Sequence, residues 1–176
     1  KAALDMQLVH PLIPSDASLK LNAVSTNIFD MWEKHAAVRA TQIVFMDMGT
    51  PKKDGSFTTY QKLRDLLNEK GIPDRDIAFV HEAKNDAEKE TLFEKVRNGD
   101  VRVLIGSTEK MGVGTNVQDR LVALHNVDCP WRPSDIEQRI GRIRRQGNKL
   151  FDEVTEFRYT TKDSFDLFMW GANQRK

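Results

Sequence analysis

Apolar positions along the chain switch repeatedly between a helical period and short continuous runs. "LNAVSTNIFDMWEKH", from Leu21, puts Val24, Ile28, Met31 and Trp32 on one helical face, because residues three and four apart stack on the same side of a helix. "TQIVFMDMG" then gives an apolar run from Ile43 to Met48 that stops at Gly49 and reads as a strand. The helical period returns in "TTYQKLRDLLNEKG" through Tyr60, Leu63, Leu66 and Leu67, with Gly71 as the C-terminal stop. "DIAFVH" predicts a strand, "DAEKETLFEKVRNGD" a polar helix anchored by Leu92, Phe93 and Val96, and "VRVLIGS" and "LVALHNV" two further strands. Pro130 and Pro133 bracket a turn before an arginine-rich helix, and a strand near "EVTEFRYTT" and a helix from Ser164 to Gln174 complete the series.

Short apolar strands separated by helices of about 10 to 14 residues predict an α/β domain with a largely parallel central sheet covered by helices. Residues 1–20, punctuated by prolines and without clear periodicity, are expected to be a lead-in, and residues 21–176 one domain. In such sheets ligands bind outside the C-terminal ends of the strands. That rule selects the loops Asp47 to Gly55, Ser107 to Gln118 and Asp128 to Ser134, which should converge on one edge.

The helix after the third loop carries the densest charge, Arg139, Arg142, Arg144 and Arg145 within "SDIEQRIGRIRRQGN". Ser134 and Glu137 have capping-box spacing. Ile136, Ile140 and Ile143 recur at i, i+4 and i+7 and predict the face that packs on the sheet. Gln138, Arg142 and Arg145 run parallel to them, two residues shifted, as a candidate working face, whereas Arg139 and Arg144 fall on neither and read as backbone contacts or solvated charge. Gly141 lowers helix propensity by up to about 1 kcal/mol relative to alanine, which a close approach of another backbone or a ligand would explain. Guanidinium groups suit phosphate and carboxylate alike, so a triphosphate, a nucleic-acid backbone and an acidic protein all fit the spacing.

The segment "IGSTEKMGVGTNVQ" leaves a strand directly, with Gly112 and Gly114 permitting close backbone approach and Thr108, Thr115 and Asn116 offering hydroxyls and an amide. A phosphate-binding G-x-x-x-x-G-K-[ST] is missing, and "GNK" at Gly147 to Lys149 lacks both the preceding strand and the following Ser or Thr. Asp47 has only a superficial likeness to a magnesium-holding carboxylate. This chain is therefore not expected to hydrolyse a nucleotide by itself, although it could supply an arginine clamp. His81 and His125, at strand ends, read as packed or edge histidines rather than general bases, Cys129 as a small apolar filler and Trp131 as an anchor of the turn.

Bulk properties narrow the setting rather than the activity. The chain has 176 residues and a net charge of +1, but residues 132–149 hold six Arg or Lys against two acids, so the positive charge is local. The single cysteine cannot form an internal disulfide and fits a reducing, cytoplasmic compartment, and no metal-ligand spacing links it to the four histidines. No apolar stretch reaches membrane-spanning length. A start at Lys1 is compatible with an excised piece of a longer protein.

The ordered pair "STEKMGVGTNVQ" and "DCPWRPSDIEQRIGRIRRQGN" resembles motifs V and VI of the C-terminal RecA-like lobe of superfamily 2 helicases and translocases, especially the Snf2-like branch. "TQIVFMDMG" resembles the strand of motif IV. The resemblance implies a RecA-like three-layer fold and ATP with Mg2+ bound mainly by a preceding RecA-like lobe. DNA, or alternatively RNA, would be the polymer. It implies that Arg142 and Arg145 reach the triphosphate, Arg145 as the arginine finger, with Gln138, Gly114 and Asn116 at the nucleotide. Thr108, Lys110 and Arg139 would contact the nucleic-acid backbone, and Arg102 would be a further phosphate partner. The chain departs from the Snf2-like pattern at Gly147-Asn148, where that branch has Gly-Gln, and at Gln146, where it has an apolar residue. A non-motor nucleic-acid-binding module and a scaffold recruiting an acidic protein remain as other classes.

Overall fold

The computed structural model describes residues 20–52, 58–111, 115–130, 132–143, 147–160 and 169–171. Five strands, β1 (Thr41–Phe45), β2 (Ile77–Phe79), β3 (Val103–Gly106), β4 (Leu121–Asn126) and β5 (Thr155–Arg158), form one sheet in the order β2-β3-β1-β4-β5. Every pairing is parallel. Parallel neighbours need crossover connections: α2 (Thr59–Glu69) follows β1, α3 (Asp86–Asn98) follows β2 and α4 (Pro133–Ile143) follows β4, while α1 (Lys20–Lys34) leads into β1.

Strand alternation divides the core into two layers. Val44, Met46, Phe79, Val103 and Ile105 pack with Leu21, Val24 and Ile28 of α1 and Tyr60, Leu63 and Leu67 of α2. Ile43, Phe45, Leu104 and Leu124 pack with Phe93 and Val96 of α3 on the opposite face. The domain is thus the three-layer α/β architecture that the alternating periods predict, and it agrees with the RecA-like fold that the motif resemblance implies.

Local signals explain several boundaries. Thr58 caps α2 by accepting the Gln61 N–H, Asn85 caps α3 by accepting the Glu88 N–H, and Gly71, at φ 106°, turns the chain out of α2. The expected strand "DIAFVH" is shorter, because Val80–Glu82 form a 3-10 turn whose Glu82 carboxylate accepts the Phe79 N–H. Helix α4 begins at Pro133, one residue before the expected Ser134 cap. Proline suits a first helical position, where its missing N–H has no intrahelical partner to lose. The lead-in 1–19 and most of the expected last helix lie outside the described residues, although 169–171 are helical.

One polar chain threads the core. His125 on β4 is fully buried, with its Nε2 2.8 Å from the Gln42 Oε1 and its Nδ1 2.7 Å from the Tyr159 hydroxyl. Phe157 stacks on the imidazole. His125 is therefore a packed histidine, as its strand position predicts.

Candidate functional site

The three central strands end level with one another, since Phe45 of β1 registers with Gly106 of β3 and Asn126 of β4. Two residues beyond those ends stand Asp47, Thr108 and Asp128. The three loops selected from the sequence therefore do meet at one edge, where the chain order reverses about β1.

Arg139 of α4 binds all three. Its side chain is 1% exposed, and its Nη2 lies 2.6 Å from the Asp47 Oδ2 and 3.1 Å from the Asp128 Oδ1. Nη1 donates to the Asn126 Oδ1 and the Asp128 carbonyl, and Nε donates to the Thr108 Oγ1 at 2.8 Å. A guanidinium has five N–H donors, and these bonds occupy all of them. Phe45 lies beneath, its ring centroid 5.0 Å from the guanidinium carbon.

The carboxylates are equally engaged. Asp128 accepts the Asp47 and Met48 N–H groups through Oδ2. Burial pushes its pKa above the usual carboxylate range, while Arg139 and the two N–H groups oppose the shift. Asp47 accepts the Thr108 N–H at 2.6 Å on Oδ1 and the Thr108 O–H at 2.9 Å on Oδ2. Both Asp47 oxygens thus already accept from protein donors, and no cluster of three metal-ligating side chains occurs among the described residues. Among the described residues, side chains that keep open donors for an anion at this edge include Gln138 and Lys110.

This arrangement corrects the phase read for α4. Ile136 and Ile140 are only half-buried, and the residue driven into the sheet edge is Arg139. Five hydrogen bonds, two of them ion pairs to Asp47 and Asp128, offset the desolvation of its charge. As a nucleic-acid contact Arg139 is therefore corrected: its guanidinium faces protein acceptors, not solvent. Arg102 is corrected too, being 2% exposed at the opposite end of the sheet, where it donates to the Ala40 and Trp32 carbonyls.

Other candidates line an open cleft of about 630 Å³ beside the arginine, with Asp47, His81, Thr108, Lys110, Asp135 and Gln138 among its walls. Gln138 is exposed, and Arg142, four residues on, shares its side of α4. A side chain built at Gly141 would meet nothing within 4 Å, so none of the described residues makes the close approach that the glycine suggested. Asn116 is exposed and its carbonyl accepts from Arg97. Gly112, Gly114, Trp131, Arg144 and Arg145 lie outside the described residues, as does the Arg142 side chain. Asn148, where the Snf2-like pattern has glutamine, donates to the Leu121 carbonyl and accepts the Leu150 and Phe151 N–H groups. A short amide closes that turn through its own backbone neighbours.

Asp128 and Asn126 are site residues that the motif reading did not select. The signal for them was present, since polar groups at the ends of buried parallel strands need a partner and Arg139 is the donor-rich residue that follows.

Residues 37–147 match the family model for the helicase conserved C-terminal domain, and the chain belongs to that family. No curated protein matches the sequence. Among solved structures, the C-terminal part of the Fun30 ATPase domain aligns at 18% identity and TM-score 0.60 over 86% of this chain and 44% of that one. S. cerevisiae Dbp5 bound to RNA and ADP BeF3 aligns at 21% and 0.56 over 86% and 36%. The Pyrococcus furiosus Hef helicase domain aligns at 17% and 0.59 over 96% and 30%. These neighbours share the fold, and the chain spans under half the length of each. No described helix is long and apolar enough to cross a membrane.

Proposed function

We propose that this chain is the second motor lobe of an ATP-driven translocase of superfamily 2, with its sequence affinity on the Snf2-like side, acting on DNA, with RNA as the alternative polymer. The observation that carries the reading is the docking of α4: Arg139 seats it on the ends of β1, β3 and β4, so Gln138 opens onto the cleft and Arg142 follows one turn later. In this reading a preceding RecA-like lobe would hold Mg2+ and ATP, which would supply the phosphoryl group transferred to water, with ADP as the leaving group. Gln138, Arg142, Arg145, Gly114 and Asn116 face that nucleotide, and the arginines neutralise charge on the phosphates.

The strand side of the proposal rests on Thr108 and Lys110, which share the cleft with Gln138. Asp47, Glu109 and Asp135 also line it, against Lys110 as the basic residue among those walls. Phosphate binding here then relies on aimed hydrogen bonds more than on a positive field. Neighbouring folds have been solved both with RNA and with DNA, which is why both polymers enter the test. In the full-length protein Gln138→Ala should lower ATP turnover with little change in polymer affinity, while Lys110→Ala should reduce the salt dependence of binding by about one counterion. A protein that hydrolyses ATP at the same rate with and without either polymer would contradict the translocase reading and leave a binding module or scaffold.

A further inference from the structure

Thr108 is gripped so completely that its hydroxyl has no proton left for a ligand. Its O–H donates to the Asp47 Oδ2 while its oxygen accepts from the Arg139 Nε. A hydroxyl has one proton and two lone pairs, so the capacity that remains is one lone pair. Phosphodiester oxygens are acceptors and cannot use it. Contact between Thr108 and a strand therefore requires the hydroxyl to turn away from Asp47, a carboxylate 34% exposed beside the cleft that also repels the incoming phosphate.

We propose that Asp47 and a backbone phosphate compete for the Thr108 hydroxyl proton, making Asp47 a gate on strand binding and Arg139 the positioning residue that carries the exchange to α4. The proposal rests on the strand-site reading of the cleft. The hydrogen bond is re-aimed and no covalent bond breaks. Once the hydroxyl turns, Asp47 keeps the Thr108 N–H and the Arg139 Nη2 as donors, so more of its charge is balanced by Arg139 alone. Arg139 belongs to the helix that also carries Gln138 and Arg142, so occupancy of the strand site alters the seating of the helix that faces the nucleotide.

A double-mutant cycle in the full-length protein tests the competition, using a 20-nucleotide single-stranded DNA and an RNA of matching sequence. Asp47→Asn is expected to tighten binding about tenfold, the scale of a released hydrogen bond to a charged group. Asp135→Asn removes the same charge from the same cleft without touching Thr108 and should tighten it only about twofold. In a Thr108→Val background the Asp47→Asn gain should shrink to that of Asp135→Asn. Thr108→Val alone should weaken binding less than threefold, because the wild type trades one hydrogen bond for another, yet remove most of the stimulation of ATP turnover by the polymer.

Equal gains from Asp47→Asn and Asp135→Asn, or a gain that persists with Val at 108, would overturn the competition while leaving the strand site in place. If Asp47→Asn fails to fold by circular dichroism, Thr108→Val decides: a tenfold affinity loss overturns the proposal, and a small loss with lost stimulation supports it. A Thr108→Val protein that binds both polymers as the wild type does and keeps its stimulation overturns the strand-site assignment as well.

Discussion

Acidification should destabilise the domain through His125, and the amount follows from its surroundings. Gln42 donates its amide N–H to the Ile28 carbonyl, which turns its Oε1 toward the imidazole. His125 must then carry its proton on Nε2, leaving Nδ1 to accept the Tyr159 O–H, while Asn27 donates to the Tyr159 oxygen. A second ring proton on Nδ1 would face the Tyr159 oxygen and force the tyrosine to turn its own proton away. Burial lowers the His125 pKa to about 3, whereas the unfolded chain titrates near 6.5. Between those values the unfolded state binds a proton that the native state refuses, so stability is full above about pH 6.5 and is lost as pH falls toward 3. At about 1.4 kcal/mol per pH unit, the loss between pH 7 and pH 5 is about 2 kcal/mol. Urea denaturation at both pH values, for the wild type and for His125→Gln, isolates this contribution because the variant cannot titrate at 125. Equal losses in the two proteins would refute the tautomer and burial argument.

Two further substitutions probe α4. Gly141→Ala should stabilise the domain by up to about 1 kcal/mol, raising Tm by about 2–4 °C, because the new methyl has open space. In the full-length protein the same change should slow ATP turnover if a facing lobe packs there, and a lowered Tm would refute the open-face geometry. Arg139→Met should cost about 3–5 kcal/mol, since it strands Asp128, a 2% exposed carboxylate, beside Asp47. Chemical denaturation checks this, and a loss under 1 kcal/mol would mean that the hub is not what holds the loops together.

Periodicity alone made the layers legible, because Val24 and Ile28 or Leu63 and Leu67 bury as faces and the central strands carry apolar runs such as Ile43 to Phe45 and Val103 to Ile105. The three loops were legible for the same reason, since parallel strands fix where their C-terminal ends must lie. The phase of α4 was not. Hydrophobic spacing chose the isoleucines, but Arg139 is buried by Asp47 and Asp128, 92 and 11 residues away in sequence, and no local pattern encodes that pairing. Ser134 misled for a smaller reason: Pro133 fits the first helical turn and starts the helix before the capping sequence can. Thr108 was found by its motif, yet only the structure shows that its proton is already taken.

The account turns on whether this lobe supplies an arginine to ATP bound by a facing lobe. The direct measurement is steady-state ATP turnover by the full-length protein at saturating polymer, comparing the wild type with Arg145→Ala, alongside polymer affinity. An arginine finger is worth about 10³-fold or more in turnover, so the account predicts a loss of that order with affinity changed less than about threefold. Turnover that survives Arg145→Ala within about tenfold would contradict it.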